Sequence, residues 1–424
     1  MELVTKLIHL SENKSLRNGA LFSIFSFINR GIAFFLLLIL AKYIGPKEYG
    51  YLSLFSTVTM VLSYFICFAS EGYLSVSYFK ESHNEFRKTC SVIIAVGLCM
   101  LCFFDLVLAV GGNVIAKALN LPLSILFIAV LISFFTSMAN INLDYFRLQQ
   151  KVKIYGLFSC GNAALNFIIS IILVKYFMLS WQGRVYAQFI CCVVFGIYGL
   201  FFFIHKKLIT RHFIDKIKPI LFWSIPLIPH MATAFIRQGC DRYIINYYHS
   251  ISDVGLFSFA LNLANIIAMI GYGFNQSNSV EIYKTLGDKE RTNESKLRFI
   301  RKSSKIFLGL YFISAIVVAI ACYIFIPLLL PKYSASNNYT LILSIYGFLQ
   351  CVYLIYCNYL FFYGKTRNLM YITFFSAVFH LSLSLLFTRY SLYYTFIIYC
   401  LSQFVVCILV RYEARKYLKQ FLKF

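Results

Sequence analysis

Charged residues are scarce in this sequence of 424 residues, and their scarcity excludes an ordinary soluble domain. Asp, Glu, Lys and Arg make up 13% of the chain, whereas hydrophobic residues make up 60% and the mean hydropathy is +0.75. An ordinary soluble domain is about 25% charged and at most about half apolar. Because one apolar core could not bury this much hydrophobic surface, the composition predicts a chain that uses the lipid bilayer as its solvent.

Motifs for metal, nucleotide and nucleic-acid binding are also missing. None of the 13 cysteines forms a CxxC pair between polar loop residues or clusters with His, which favours apolar packing over a metal or redox role. No Gly-rich loop ends in Gly-Lys-Ser/Thr, so we expect no ATP as the direct energy source. The net charge of +23 lies in short basic clusters between apolar runs, which is typical of membrane loops, so no nucleic-acid partner is expected.

The sequence does contain a series of apolar runs of about 20 residues, the length that an α-helix needs to cross the hydrocarbon. Barrel strands would be half as long and would alternate. The runs predict an all-α integral membrane protein with about twelve spans. They lie near 19–41, 50–69, 89–111, 121–141, 155–174, 185–204, 219–246, 254–276, 306–330, 339–362, 369–388 and 392–410. The first run is too long for a signal-peptide core and lacks a cleavage site, so it is expected to stay uncleaved.

The basic residues predict the orientation of these spans. With the N-terminus in the cytoplasm, the inside segments hold 29 Lys and Arg and the outside segments hold 7. This bias predicts that both termini are cytoplasmic. The inside loop 284–305 is interpreted as solvated helix ends, and the tail 411–424 alternates basic with aromatic and aliphatic residues. That alternation predicts a segment lying along the anionic inner leaflet.

Two segments resemble each other at an offset of 205 residues, and each joins the first span of its half to the second. The matching pairs are Tyr43/Tyr248, Glu48/Asp253, Gly50/Gly255 and Ser53/Ser258. Six spans separate the copies, so the halves are expected to share one orientation, as in the parallel repeats of some transporters. A common type of turn after a helix is the alternative interpretation.

Four stretches resemble a known family. Residues 40–50 read LAKYIGPKEYG, similar to the R-Y-L-G-P-x-E-Y-G end of the first helix in Wzx-type polysaccharide flippases, with Lys42 in place of the usual Arg. Residues 224–229 (SIPLIP), 241–245 (DRYII) and 254–260 (VGLFSFA) resemble that family's x-P-L-x-P, D-R-x-I-I and V-G-x-Y-S-x-A motifs. These flippases belong to the multidrug/oligosaccharidyl-lipid/polysaccharide exporter superfamily.

The resemblance implies two six-helix bundles, residues 1–210 and 211–424, related by a pseudo-two-fold axis around a central cavity. It implies that an undecaprenyl-pyrophosphate-linked oligosaccharide, such as an O-antigen repeat unit, moves from the cytoplasmic to the periplasmic leaflet of a bacterial inner membrane. The partners implied are this molecule, membrane lipids and other polysaccharide-assembly membrane proteins. No cofactor is expected. Transport is expected to be coupled to H+, to Na+ or to the membrane potential.

Cationic residues inside the spans are the candidates for contact with an anionic head group. Arg30 lies near the centre of the first span beside Asn29, and an Arg facing lipid there would cost about 3 kcal/mol. It is expected either to contact an anion or to pair with a polar group such as Asp105. Arg237 and Asp241 are spaced to pair on one helical face, which would leave Arg242 the freer cation, although the reverse pairing is open.

Other candidates bear on gating and coupling. Two prolines in the seventh span and two glycines in the eighth are expected to bend or loosen those helices: Pro226, Pro229, Gly271 and Gly273. Four ionisable residues are candidates for coupling transport to protons: Asp105, Asp241, His230 and His380. A structural role is the alternative for each of them.

Two other functions remain open at this stage. A cation-coupled multidrug exporter of the same superfamily would need acidic residues in its cavity, whereas the buried charges here are mainly Arg. A membrane glycosyltransferase or polymerase would be expected to have a long outside loop with paired carboxylates or His, and the outside loops here are short. The sequence therefore favours a transporter of an anionic molecule over an enzyme.

Overall fold

The structure, a computed structural model, describes residues 14–225 and 227–422, with residues 14–17, 19, 20, 229, 230 and 277 described by their backbone alone. Within these ranges the chain forms fifteen α-helices and no β-strand, which confirms the all-α fold class. The first seven are α1 (Lys14–Tyr43), α2 (Pro46–Ile66), α3 (Glu71–Lys80), α4 (His83–Leu119), α5 (Leu123–Leu148), α6 (Val152–Ile171) and α7 (Ser180–His205). The next eight are α8 (Ile214–Ser224), α9 (Leu227–Gln238), α10 (Cys240–Tyr248), α11 (Ile251–Gly287), α12 (Asn293–Leu329), α13 (Asn337–Phe362), α14 (Thr366–Phe387) and α15 (Leu392–Leu422).

Eleven helical segments of the described chain are long and apolar enough to cross a membrane, and they match eleven of the twelve predicted spans. The protein is therefore a multi-pass membrane protein. The exception is the predicted span 219–246, which is divided among α8, α9 and α10. Several helices are also longer than the apolar runs suggested: α11 and α12 have 37 residues each. At 1.5 Å per residue they are about 55 Å long, well beyond the hydrocarbon thickness of about 30 Å.

The chain separates into two compact units. The first comprises Met1–Ile44 and Leu54–Ala232, and the second comprises Gly45–Ser53 and Thr233–Phe424. The start of α2 therefore packs with the second unit, and α9 is divided between the two.

In the first unit, α5 is the central helix and is buried along most of its length. Near the joint between α3 and α4, Lys216 pairs with Glu81 at 2.7 Å and with Glu85 at 3.0 Å, and so ties the start of α8 to this region. Although burial raises it, hydrogen bonds from Lys216, Ser77 and Tyr73 lower the pKa of Glu81 below its ordinary value.

In the second unit, α13 packs closely against α11. A Cβ on Gly271 would lie 2.3 Å from the sulfur of Cys351 on α13, so a larger residue would push the two helices apart. Helix α11 continues without interruption through Gly271 and Gly273. In this structure Gly271 therefore serves close packing and not a helix break, while Gly273 has open space around its Cβ position.

The two copies of the predicted repeat contact each other within the second unit. The hydroxyls of Ser53 and Ser258 are 2.6 Å apart, and the separation of these residues in sequence is the repeat offset, 205. A Cβ on Gly50 would lie 2.0 Å from the carbonyl oxygen of Ile251, and one on Gly255 would lie 1.8 Å from that of Pro46. Under the offset each of these contacts maps onto the other, so α2 and α11 cross with local two-fold symmetry.

The same correspondence extends to the helix starts. The Glu48 carboxylate accepts the backbone N–H of Gly45 at 3.0 Å, and the Asp253 carboxylate accepts that of Ser250 at 3.1 Å. Both acids thus cap the first turn of their helix from equivalent positions. The internal repeat is therefore more than a common turn after a helix, because both its capping and its packing contacts recur.

The basic tail of the chain differs from the expectation of a segment lying along the leaflet. Helix α15 runs without a break from the last span to Leu422. Ala414, Leu418 and Leu422 are buried in a cluster with residues of α11, α12 and α13, including Ile282 and Tyr359. Because they are spaced by four residues, these side chains form one apolar stripe along α15. The stripe packs against the other helices of the cluster, and this packing favours continuation of the last span as one helix.

Candidate functional site

Two polar clusters among the described residues, one in each unit, include residues that the sequence singled out. In the first unit, a cavity of about 150 Å³ lies between α1, α6 and α7. Its lining consists of Asn29, Ile32, Ala33, Leu36, Asn162, Ala163, Asn166 and Arg184. The cavity has room for a few water molecules or for one small polar group of a larger ligand.

Among the described residues that line this cavity, Arg184 is the only cation, and it is held in place by α6. Its guanidinium donates to the Asn166 carbonyl oxygen at 2.7 Å and to the Ser170 hydroxyl at 3.5 Å. The Asn29 amide, on α1, donates to the Ser159 hydroxyl of α6 at 3.1 Å. The charge of Arg184 is not neutralised by any described carboxylate in an ion pair, so the cavity presents a net positive charge together with amide donors and acceptors.

Sequence reasoning missed Arg184, because the predicted span began at residue 185 and left this residue in an outside loop. The helix in fact starts at Ser180. A signal was available: Asn162, Asn166 and Ser170 recur every four residues within an apolar run. Such a polar stripe on one helical face predicts a polar neighbour inside the bundle.

Arg30 does not line the cavity, although its neighbour Asn29 does. Its side chain is exposed on the surface of the first unit. Asp105 on α4 is half-buried and forms no ion pair with Arg30, and its buried Oδ1 has no hydrogen-bond partner among the described residues. The pairing of Arg30 with Asp105, left open by the sequence, is therefore absent from this structure.

The cluster of the second unit is built around Asp241 and His380. Asp241 Oδ2 lies 2.7 Å from His380 Nε2, and the two side chains are 0% and 2% exposed. The other ring nitrogen, Nδ1, lies 2.9 Å from the Ser402 hydroxyl. The ring of Tyr399 meets the imidazole edge to face, with 4.8 Å between centroids. The sequence named both Asp241 and His380 but did not pair them, because 139 residues separate them.

The expected pairing of Arg237 with Asp241 is wrong. Helix α9 ends at Gln238 and α10 begins at Cys240, so the two residues lie on different helices and do not share a helical face. Arg237 instead donates a hydrogen bond to the buried Gln403. The break also places Asp241 in the first turn of α10, where the helix dipole stabilises a carboxylate.

Arg242 is not the freer cation that the sequence suggested. Its guanidinium donates to the backbone carbonyl of Gln238 and, at 3.3 Å, to the Ser258 hydroxyl of the repeat contact. Arg242 therefore links α10 to the crossing of α2 and α11, where Tyr49 also accepts a hydrogen bond from Asn262 at 2.9 Å.

Three predicted residues fall outside what the structure describes. Pro226 lies outside the described residues, and so do the side chains of Pro229 and His230. The helices on either side are described: α8 ends at Ser224 and α9 begins at Leu227. Among the residues with described positions, no three His, Cys, Asp or Glu side chains form a group that could hold a metal ion.

Comparisons with known proteins agree with this fold. The family model described as "Polysaccharide biosynthesis protein" matches residues 15–280, and the MatE model matches residues 226–386. A protein of the Lsg locus of Haemophilus influenzae is 22% identical over 359 residues, covering 84% of this chain and 86% of that protein. A second membrane protein from the same organism is 21% identical and covers 82% and 84% of the two chains.

Solved structures of multidrug resistance transporters of the MATE family have the same fold. The inward-facing structure of one such transporter of the MOP superfamily gives a TM-score of 0.73 at 12% identity and covers 94% of this chain and 96% of that one. An outward-facing structure gives 0.57 at 14% identity and covers 95% of both. With one family model matching more than half of the sequence, the chain belongs to the polysaccharide biosynthesis protein family.

Proposed function

We propose that the protein is a flippase that moves an undecaprenyl-pyrophosphate-linked oligosaccharide, an O-antigen or related repeat unit, from the cytoplasmic to the periplasmic leaflet of a bacterial inner membrane. The lipid tail of such a molecule can stay in the bilayer. Its pyrophosphate and sugar hydroxyls cannot, because burying polar groups without partners is costly. A protein that moves it by alternating access must therefore offer a polar, cationic surface within the membrane.

The cavity around Arg184 is the observation that supports this proposal most directly. A guanidinium can donate two parallel hydrogen bonds to phosphate oxygens, and the amides of Asn29, Asn162 and Asn166 can donate to and accept from hydroxyl groups. Arg30, Arg237 and Arg242 add positive charge within the helices. This chemistry suits a phosphorylated sugar head group better than a cationic drug.

The pair of Asp241 and His380 is the proposed site of proton coupling. Both side chains are buried, and they share one hydrogen bond that can hold or release a proton as access changes. The charged groups near the pair are Arg237 and Arg242, and Tyr346 and Tyr399 also face it. If transport is coupled to Na+ or to the membrane potential instead, a His380 variant that reaches the membrane folded and at the wild-type level should transport at the wild-type rate.

A cation-coupled multidrug exporter is the second candidate. The match of the MatE model to residues 226–386 and the buried carboxylate of Asp241 favour it. The excess of 39 Lys and Arg over 16 Asp and Glu, and the cation rather than carboxylate in the cavity of the first unit, weigh against it.

A complementation experiment tests the flippase proposal. In a strain that lacks the gene, we expect lipid-linked repeat units to accumulate on the cytoplasmic face, as measured with labelled sugars. The wild-type gene should clear them, and Arg184→Gln should not at equal protein level. Arg389→Gln is the matched control, because Arg389 is exposed and stacks on its neighbour Tyr390 away from both clusters. Unchanged surface polysaccharide with altered drug sensitivity would favour the exporter instead.

The proposed orientation has its own test. The bias of 29 inside to 7 outside basic residues predicts that both termini are cytoplasmic. A reporter enzyme that is active only in the cytoplasm should therefore be active when fused after residue 424. Activity of a reporter that works only in the periplasm would reverse the assignment.

A further inference from the structure

A second, larger cavity lies in the second unit, between α12 and α15, and none of its lining residues contacts Asp241 or His380 in the hydrogen bonds described above. Its volume is about 810 Å³, which is within the usual range of ligand sites. Its floor is apolar and belongs partly to the buried cluster beneath α15. The main floor residues are Leu297, Ile300, Leu308, Tyr356, Tyr359 and Leu418.

The wall of this cavity carries six cations: Arg301, Lys305, Arg411, Arg415, Lys416 and Lys419. On α12 two of them are spaced by four residues, and on α15 three of them are spaced by four, so each set forms a row on one helical face. Like charges at this spacing repel each other and destabilise a helix. An anion bound between the two rows would reduce this repulsion.

Carboxylates of the described chain do little to neutralise these cations. Glu413 is 4.0 Å from Lys416 and also accepts a hydrogen bond from Asn368 at 3.4 Å. Arg411 lies over the ring of Tyr356, 5.7 Å from its centroid. The described ion pairs include none for Arg301, Lys305, Arg415 or Lys419.

The position of the cavity indicates what kind of anion fits. It lies where the charged end of α12 gives way to exposed apolar side chains, beginning with Ile306 and Leu308, which are 50% and 41% exposed. In a membrane protein such a boundary is the level at which lipid head groups meet their acyl chains. A ligand there would place its charge among the cations and its hydrocarbon along α12. Basic pockets between membrane helices recognise phosphorylated head groups in this way.

We propose that the α12–α15 cavity binds an anionic phospholipid of the surrounding leaflet, with its phosphate among the arginines and lysines of the two rows and an acyl chain against Leu308. The site is separate from the translocated molecule and does not depend on its identity. The bound lipid bridges α12 to the end of α15 and screens the repulsion within each row.

Lipid binding to the purified full-length protein tests the proposal. Protein in neutral detergent is titrated with phosphatidylglycerol or phosphatidylcholine, and bound lipid is counted by native mass spectrometry. We expect a clear preference for phosphatidylglycerol that weakens with salt. Arg301→Gln with Lys305→Gln should weaken phosphatidylglycerol binding about thirty-fold, the equivalent of two cation contacts of about 1 kcal/mol each.

Arg298→Gln with Lys302→Gln is the matched control, since it removes the same two residue types from the same helix but outside the cavity. Binding should survive in this variant. An equal loss in both variants, or equal binding of the two lipids by the wild type, would overturn the proposal. So would full displacement of the lipid by millimolar inorganic phosphate, because the site would then hold a free anion.

Should the cavity variant fail to fold, the wild-type protein still decides the matter. Its melting temperature should rise with added phosphatidylglycerol and not with phosphatidylcholine, because a ligand that binds only the folded state stabilises it. The same rise with both lipids would count against a charge-selective site.

Discussion

The buried pair of Asp241 and His380 permits a quantitative prediction about stability. The two partner atoms, Asp241 Oδ2 and His380 Nε2, are 2.7 Å apart, and the side chains are 0% and 2% exposed, so neither group faces bulk solvent. His380→Ala leaves a carboxylate buried without its partner, which should cost about 3–5 kcal/mol of unfolding free energy. Asp241→Asn replaces a charged hydrogen bond by a neutral one and should cost about 1–3 kcal/mol.

The double variant separates a real interaction from two independent losses. Without both the carboxylate and the imidazole, neither group is left buried without its partner, so the combined cost should fall short of the sum by about 1.5–3 kcal/mol. Unfolding by titration with SDS in mixed micelles, at one fixed pH, measures all four proteins. If the costs add to within about 0.5 kcal/mol, the two groups do not interact and the reasoning is refuted.

A second pair with almost the same distance provides the control. Lys88 and Asp215 are 2.8 Å apart, but their side chains are 24% and 61% exposed. Water screens such a pair, so its coupling should be much smaller than that of the buried pair. If the coupling energy of this exposed pair were as large as that of the buried pair, burial would not be what determines the coupling energy.

Two further predictions concern packing and pH. Gly50→Ala or Gly255→Ala would force apart backbones that lie within 2.0 and 1.8 Å of the added Cβ, and should cost about 1–3 kcal/mol in the same titration. Because hydrogen bonds from Lys216 and its neighbours lower the pKa of Glu81, the stability that this carboxylate contributes is present above its ordinary value of 4.5 and is lost as the pH falls through the lower, folded-state value. The melting temperature of the wild type should therefore fall more steeply in acid than that of Lys216→Met.

Each of these predictions has a contrasting case. Gly273 has nothing within 4 Å of its Cβ position, so Gly273→Ala should be neutral or stabilise by about 0.5–1 kcal/mol. Destabilisation of this variant as large as that of the crossing glycines would show that close contact at Gly50 and Gly255 is not the cause of their loss. For the acid effect, the contrasting result is a melting temperature that falls equally steeply with pH in the wild type and in Lys216→Met. It would show that Lys216 does not lower the pKa of Glu81.

The sequence predicted the membrane fold because the relevant signal is local. Eleven apolar runs became single long helices, since each run is long enough by itself to satisfy its backbone in lipid. The helix ends were less accurate, and α11 and α12 continue well past their apolar windows. Hydropathy reports where lipid begins and does not report where a helix stops.

The site was harder to predict because it depends on tertiary contacts. The helix break at Gly239 places Asp241 and Arg237 on different helices. His380 and Ser402 lie beside Asp241 because α14 and α15 pack against α10, and that packing cannot be deduced from spacing along one helix. Arg184 was overlooked because α7 starts five residues before the predicted span, so Arg184 lies in a helix and not in a loop. Spacing along one helix could not reveal either arrangement.

The bond between Ser53 and Ser258 joins a residue to its own counterpart in the other copy of the repeat. Side chains in that situation sit on the axis that relates the copies, as the central residues of an isologous dimer interface do. A substitution in one copy therefore changes one side of a contact whose two sides are equivalent. Only a complementary substitution at the equivalent position of the other copy would restore the packing. However far the two halves drift apart elsewhere, these few positions must evolve together.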